Sequence, residues 1–183
     1  MYNPWKTIKT KNVYENNWIK VEESDVIAPS GKDGIYGVVR PKNYAIAILP
    51  LDEEYNTWIV GQYRYTTNSY EWELPKGGCP IDEEGPMEAG KRELLEETGI
   101  SAKTWQRVLV SNLSNCFTDE VSFSYVAKHL SFGESNPDDS EILEVIKVKF
   151  EDLVNMALNG EINCALSQAT IFAVKIMIDK KEI

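Results

Sequence analysis

The sequence predicts an α/β chain with a small antiparallel β-unit in front of it. Three observations carry this. Runs rich in β-branched and aromatic residues stand on both sides of a single well-capped helical stretch at Pro86–Thr98. Two amphipathic segments, near Glu151–Leu158 and around Ala165–Ile176, close the chain and read as helices that cover a sheet. The first 42 residues hold only short strand-like runs and turns. With 183 residues and 43% apolar composition, there is enough material for a real core. The expected division is an N-terminal β-unit at residues 1–42 and a main domain at residues 43–183.

In chain order, Trp5, Val13, Tyr14, Trp18, Ile19 and Val21 precede VIAPSGKDGIYGVV, where Ser30 to Gly34 forms a turn between two strands. Such a unit buries too little to stand alone, so it packs on the main domain or on a second subunit. Its aromatic residues read as packing groups, and none is assigned to a site. After Pro41-Lys42-Asn43, the runs Tyr44–Leu51 and Thr57–Tyr65 are expected as central strands, separated by the acidic turn Asp52-Glu53-Glu54. Beyond the helix, Gln106–Leu113 reads as a short strand. Val121–Leu130 reads as a half-buried one, with Val121, Phe123, Tyr125 and Ala127 inward. A polar loop at Ser131–Asp139 leads to a strand in which Ile146, Val148 and Phe150 alternate with lysines. In the last helix, Ala165, Ala169, Phe172, Ala173 and Ile176 form one face.

Gly85 and Pro86 suit the start of the Pro86–Thr98 helix, and Gly99 suits a left-handed close. On this helix Glu93, Glu96 and Glu97 fall within about a third of the circumference, next to an apolar stripe of Met87, Gly90 and Leu94. Like charges at i,i+4 cost about 0.2–0.5 kcal/mol, and acids in the last turn face the negative end of the helix dipole. Arg92 neutralises part of the cluster, and a hard divalent cation with oxygen ligands would neutralise more. From the carboxylates alone, a solvated acidic face fits equally well.

The surrounding spacing is more specific. Gly78, five residues, Glu84, seven residues, Arg92-Glu93-Leu94, one residue, Glu96-Glu97, one residue and Gly99-Ile100 resemble, position for position, the signature of the Nudix hydrolases. Gln62-Tyr63-Arg64 and Glu73-Leu74-Pro75-Lys76-Gly77-Gly78 are similar to the QxR and ELP(A)GG elements of the branch that cleaves ADP-ribose and nucleoside diphosphate sugars. The resemblance implies an α/β/α sandwich with a mixed sheet. It implies Mg²⁺, with Mn²⁺ as the substitute, held by Glu93, Glu96, Glu97 and the Gly77 carbonyl. Arg92 and Glu84 would lock the loop and orient the carboxylates, and Arg64 would reach the diphosphate with Glu73 beside the metal loop. Leu113 to Glu120 resembles a further element of the branch and places Glu120 at the site, although Asn115 and Cys116 replace its proline and glycine. This departure favours a nucleoside diphosphate sugar other than ADP-ribose. A loop acid, Glu141 with Asp139 and Glu144 as rivals, would take the proton from water.

The implied function is hydrolysis of a nucleoside diphosphate sugar, such as GDP-mannose or ADP-ribose, to a nucleoside monophosphate and a sugar phosphate. Two other readings stay open: an ADP-ribose-specific pyrophosphatase and a non-catalytic nucleotide-sugar sensor, for which three intact glutamates have no use. The resemblance also implies a homodimer built through the N-terminal unit.

A net charge of −10 argues against nucleic acid as a partner, since phosphate contacts need clustered Lys and Arg. No apolar run approaches a membrane span and no signal segment opens the chain, so the cytoplasm is expected. Cys79, Cys116 and Cys164 are widely spaced and expected as free thiols. His129, the single histidine, is expected to be structural or solvated.

Overall fold

The structure is a computed structural model that describes residues 2–136 and 142–183. The strands are β1 (Lys6–Glu15), β2 (Ile19–Ile27), β3 (Asp33–Pro41), β4 (Asn43–Pro50), β5 (Asn56–Arg64), β6 (Ser69–Glu73), β7 (Lys76–Pro80), β8 (Ile100–Asn112), β9 (Val121–Phe132) and β10 (Glu144–Lys149). The helices are α1 (Pro86–Thr98), α2 (Phe150–Leu158) and α3 (Ala165–Asp179). They build three sheets. β1-β2-β3 is an antiparallel meander, β7-β4-β9-β8 is mixed with β4 and β9 parallel, and β10-β5-β6 is antiparallel. The two expected central strands are indeed central, but in different sheets.

The mixed sheet lies between two cores. Ile46 and Ile48 of β4 and Tyr125 and Ala127 of β9 pack against Ala89 and Leu94 of α1. Leu49, Leu51 and Val126 face the other way, into a cluster with Ile59 of β5, Leu153 of α2 and Ile171 and Val174 of α3. The result is the expected α/β/α sandwich. The cysteines are free, and His129 is exposed with Nδ1 3.0 Å from the Thr104 hydroxyl.

Four local readings are corrected. The strand expected at Gln106 begins at Ile100, directly after the α1 cap. β9 is buried on both faces, because Ser122 and Ser124, each only 1% exposed, lie inside, with α3 packed over Ser124. The buried face of α3 is Leu166, Ser167, Thr170, Ile171 and Val174, rotated from the apolar stripe read in sequence. Its polar members are satisfied inside: Thr170 Oγ1 donates to Ser124 Oγ at 2.7 Å, and the Leu74 N–H donates to Ser167 Oγ at 3.1 Å. Met87 is exposed, and Ala89 takes its place beside Gly90 and Leu94, packed with Ile46 and Ile48 of β4.

Candidate active site

β7 leads through a short loop to α1, and this loop-helix unit carries the acidic cleft. Gly85 caps α1 in extended conformation, Pro86 opens it, and Gly99 closes it at φ 71°, with its N–H donating to the Leu95 carbonyl. Only glycine suits that closure, since a Cβ there would also run into the Gly133 backbone. Residues 133–136 pass over this end of the helix, where the Asn136 N–H donates to the Glu96 carbonyl at 2.9 Å.

Arg92 is the hub of the unit. Its Nη1 donates to Glu93 at 2.7 Å and Glu96 at 2.9 Å, and its Nη2 to the Gly78 carbonyl at 2.9 Å and Glu84 at 3.2 Å. Burial alone would lower its pKa, but the bond to Glu84, the charge and bond of Glu93 and the bond to Glu96 raise it, so the guanidinium is firmly cationic. Glu97 is 3% exposed and accepts the Lys76 N–H at 3.0 Å. Gly77 lies so close to the Glu93 carboxylate that a Cβ would occupy the same space.

Three carboxylates thus meet one guanidinium, and two of them, Glu93 and Glu96, join Glu97 in a cleft of about 300 Å³ that is also lined by Lys76, Gly77, Gly78, Arg92 and Trp18. Among the described residues no three acidic, His or Cys side chains converge as a finished cation cage. Arg92 instead draws Glu93 and Glu96 onto itself. The donor chemistry still fits a hard divalent cation: carboxylate oxygens in excess of the local positive charge and a backbone that a side chain would obstruct.

A second group adjoins this cleft through Lys76. Glu73 is 1% exposed, and its two oxygens are divided between two cations. Oε2 accepts Arg64 Nε at 2.9 Å and Nη2 at 2.5 Å, while Oε1 accepts Lys76 Nζ at 2.7 Å. Strand register explains the meeting, because Glu73 pairs with Val60 and so shares a face of β5 with Arg64. A neighbouring cavity of about 420 Å³ shares Trp18, Gly77 and Gly78 with the acidic cleft and reaches Tyr44, Phe117 and Glu120. Burial pushes the Glu120 carboxyl above its usual range, with the Lys76 charge offsetting part of the rise.

The loop that carries Glu120 is fastened to the N-terminal unit. The Val39 N–H donates to the Phe117 carbonyl and Tyr36 OH to the Cys116 carbonyl, both at 2.8 Å, and Arg40 bridges Glu22 and Asp119. A larger cavity of about 510 Å³, bounded by Tyr55, Phe150 and Ile178 among others, includes none of these residues and is mostly apolar.

The structure therefore brings together Gly77, Arg92, Glu93, Glu96 and Glu97 around one cleft, joins Arg64 to Glu73, and sets Glu120 in the adjoining cavity. Glu141 and its rival Asp139 lie outside the described residues. The other rival, Glu144, pairs with Gly61 and accepts from Tyr70 OH at 2.9 Å, on the face of β5 opposite Arg64. Two residues escaped the sequence reading. Trp18 lines both cavities although 66% exposed, held by a turn in which Asn16 Oδ1 accepts the Trp18 and Ile19 N–H groups at 2.8 Å. Its signal was a large aromatic placed directly after a polar Asn-Asn turn. Lys76 had a plainer signal, as it stands where the similar element has a small residue.

Comparison with known proteins agrees with this geometry. Residues 41–164 match the NUDIX domain, and residues 5–39 match the nucleoside diphosphate sugar hydrolase N-terminal domain. The chain is 30% identical over 149 residues to a methanol dehydrogenase activator of Bacillus methanolicus, covering 80% of each chain. It is also 30% identical over 159 residues to an ADP-ribose pyrophosphatase of Bacillus subtilis (strain 168), covering 86% of this chain and 85% of that one. The crystal structure of an ADP compounds hydrolase superposes with a TM-score of 0.88 at 20% identity, covering 99% and 97% of the two chains, and so shares the fold. With the family model spanning most of the chain and the acidic loop-helix in place, this protein belongs to the Nudix family of hydrolases.

Proposed function

We propose that the chain hydrolyses the diphosphate bond of nucleoside diphosphate sugars, ADP-ribose among them, to a nucleoside monophosphate and a sugar phosphate, with Mg²⁺ as cofactor and Mn²⁺ as its substitute. The observation that carries this reading is the adjacency of two groups: the Glu93, Glu96, Glu97 and Gly77 cleft, and the Arg64–Glu73–Lys76 cluster. The first suits a divalent cation and the second suits a diphosphate. The two matched segments, the ADP-ribose pyrophosphatase relative and the overall fold support the same substrate class.

In this reading Glu93, Glu96, Glu97 and the Gly77 carbonyl would hold the cation. When bound, it supplies Lewis-acid polarisation of the diphosphate. Arg92 keeps Glu93 and Glu96 aimed at the cleft and ties their helix to the Gly78 carbonyl. Arg64 offers a planar fork that matches two phosphate oxygens, and Glu73 fixes the orientation of that fork. Glu120 borders the adjoining cavity, which is wide enough for part of the nucleotide or the sugar. Attack by water forms one P–O bond and breaks the bridging one, and its proton passes to a base. We assign that base to Glu141, which lies outside the described residues.

The exposed apolar side chains of the first meander, among them Ile8, Val13, Tyr14 and Ile35, suit a subunit contact, and we infer a homodimer built through it. Among the described residues no helix is long and apolar enough to cross a membrane. We infer a cytoplasmic location from the sequence.

The test is product analysis over a panel of nucleoside diphosphate sugars that includes ADP-ribose and GDP-mannose, with Mg²⁺ and with chelator. Metal-dependent release of nucleoside monophosphate, lost in Glu97→Gln, is the expected result. Saturable binding of these ligands without turnover under any divalent metal overturns the hydrolase reading and leaves a sensor.

A further inference from the structure

We infer that Lys76 is a positioning residue that sets the affinity for the anionic substrate by relieving Arg64 of its partner's charge. This rests on the reading that Arg64 meets the diphosphate. Glu73 is buried, so its carboxylate needs a cation beside it. If Arg64 were the sole partner, the pair would be neutral, and the guanidinium would be committed before any substrate arrived. Lys76 changes that balance. Its ammonium takes Oε1 of Glu73 at 2.7 Å while Arg64 takes Oε2, so two cations share one buried anion, and the cluster keeps a surplus of positive charge that the half-buried Glu71, held by Thr67 and Ser69, only partly offsets.

The surplus lies at the right place. The Lys76 side chain is 21% exposed and lines the acidic cleft, and that of Arg64 is 29% exposed, so both reach solvent while Glu73 does not. The backbone of the same lysine fixes the other half of the site, since its N–H donates to Glu97. A single residue therefore joins the acidic cleft to the cationic cluster. When the carboxylates are neutralised by a cation, the surplus charge is what an incoming diphosphate meets. Arg64 keeps its aim because Glu73 still holds two of its nitrogens. The lysine acts through charge balance and leaves the phosphate contact to Arg64.

The double variant with Glu73 separates this from a direct contact. ADP binding with Mg²⁺, followed by calorimetry, needs no turnover, and ADP-ribose hydrolysis by the wild-type protein tests the parent reading separately. Lys76→Met is expected to bind ADP about tenfold more weakly, the effect of one unit charge about 6 Å away at an effective dielectric of about 40. In turnover it raises KM by more than it lowers kcat. Lys76→Arg retains the affinity. Lys76→Met combined with Glu73→Gln recovers it, because Arg64 again carries an uncommitted charge while the amide oxygen of the glutamine still accepts its N–H groups and keeps its aim. Unchanged ADP affinity in Lys76→Met overturns the inference. So does a weakened affinity that Glu73→Gln fails to restore, since the lysine would then touch the ligand itself. If Lys76→Met alone does not fold, Glu73→Gln is compared with the double variant. Tighter ADP binding by the single variant, which keeps two uncommitted cations, is expected, and equal affinity overturns the inference. Wild-type protein that binds ADP in this pattern but cleaves no nucleotide sugar defeats the parent reading alone.

Discussion

Replacing Arg92 with methionine keeps most of the stem and removes the charge that holds the acidic cleft together. The side chain makes four charge-assisted contacts, with Glu84, Glu93, Glu96 and the Gly78 carbonyl. A hydrogen bond to a charged group contributes about 1.5–3 kcal/mol when buried. The Arg92 side chain is 37% exposed, so water replaces part of each contact and screens the rest. A net loss of about 2–4 kcal/mol is reasonable after that discount. For a chain of this size it corresponds to a fall in Tm of about 5–15 °C. Because the released carboxylates repel one another, Mg²⁺ should restore more stability to Arg92→Met than it adds to the wild type. Thermal melts of both proteins with and without Mg²⁺ measure the two effects. A fall below about 2 °C, or an equal gain from Mg²⁺ in both proteins, refutes the argument that Arg92 balances the cluster.

Three further outcomes follow from single contacts. Gly77→Ala places a Cβ on the Glu93 carboxylate and displaces it, so hydrolysis of ADP-ribose should fall about 100-fold, the cost of a misplaced catalytic group, with a much smaller change in melting temperature. Thr170→Val leaves the buried Ser124 hydroxyl without its donor and should cost about 1–3 kcal/mol in a urea melt, most of which Ser124→Ala in the same chain gives back. Glu120→Gln addresses pH. Burial raises the Glu120 pKa above 4.5, so the folded chain binds that proton more tightly than the unfolded one, and ionisation costs stability as pH rises through the raised value. The variant should therefore melt higher than wild type near pH 7 and equally at about pH 4, and an equal gain at both values counts against burial as the cause.

Local chemistry explains how much of the site was legible. The limits of α1 follow from Gly85, Pro86 and Gly99, whose backbone preferences act over one or two residues and need no partner. Helical spacing alone puts Glu93, Glu96 and Glu97 on one edge, and the sign of their charges calls for Arg92 or a cation. Register made the Arg64–Glu73 pair, and a two-residue period is enough to place both on one face once β5 and β6 form a hairpin.

Apart from the start of β8, the places where the reading failed share one cause: the face of an element was judged from its own apolar residues. Ala165, Phe172 and Ile176 looked like the inner side of α3, but the helix turns Ser167 and Thr170 inward because Leu74 and Ser124 offer them partners. β9 looked half-buried because Ser122 and Ser124 are polar, yet Ser122 Oγ donates to the Ser111 carbonyl of β8 and Ser124 Oγ accepts from Thr170 of α3, so both are satisfied where they are buried. Trp18 looked like core and stands exposed at the junction of two cavities, since what lies under an aromatic ring depends on where the first meander docks.

What the sequence by itself determined was the α/β alternation and the capped acidic helix with Glu93, Glu96 and Glu97 on one edge, set by interactions within a few residues, while the α/β/α sandwich and the cation were implied by the resemblance of its motifs to a known family. Only the tertiary structure decided that Lys76 joins the two halves of the site, that the N-terminal unit fastens the Glu120 loop through Val39, Tyr36 and Arg40, and which face of α3 is buried. Each of these depends on a partner far away in the chain, and a buried polar group takes its meaning from the partner that satisfies it.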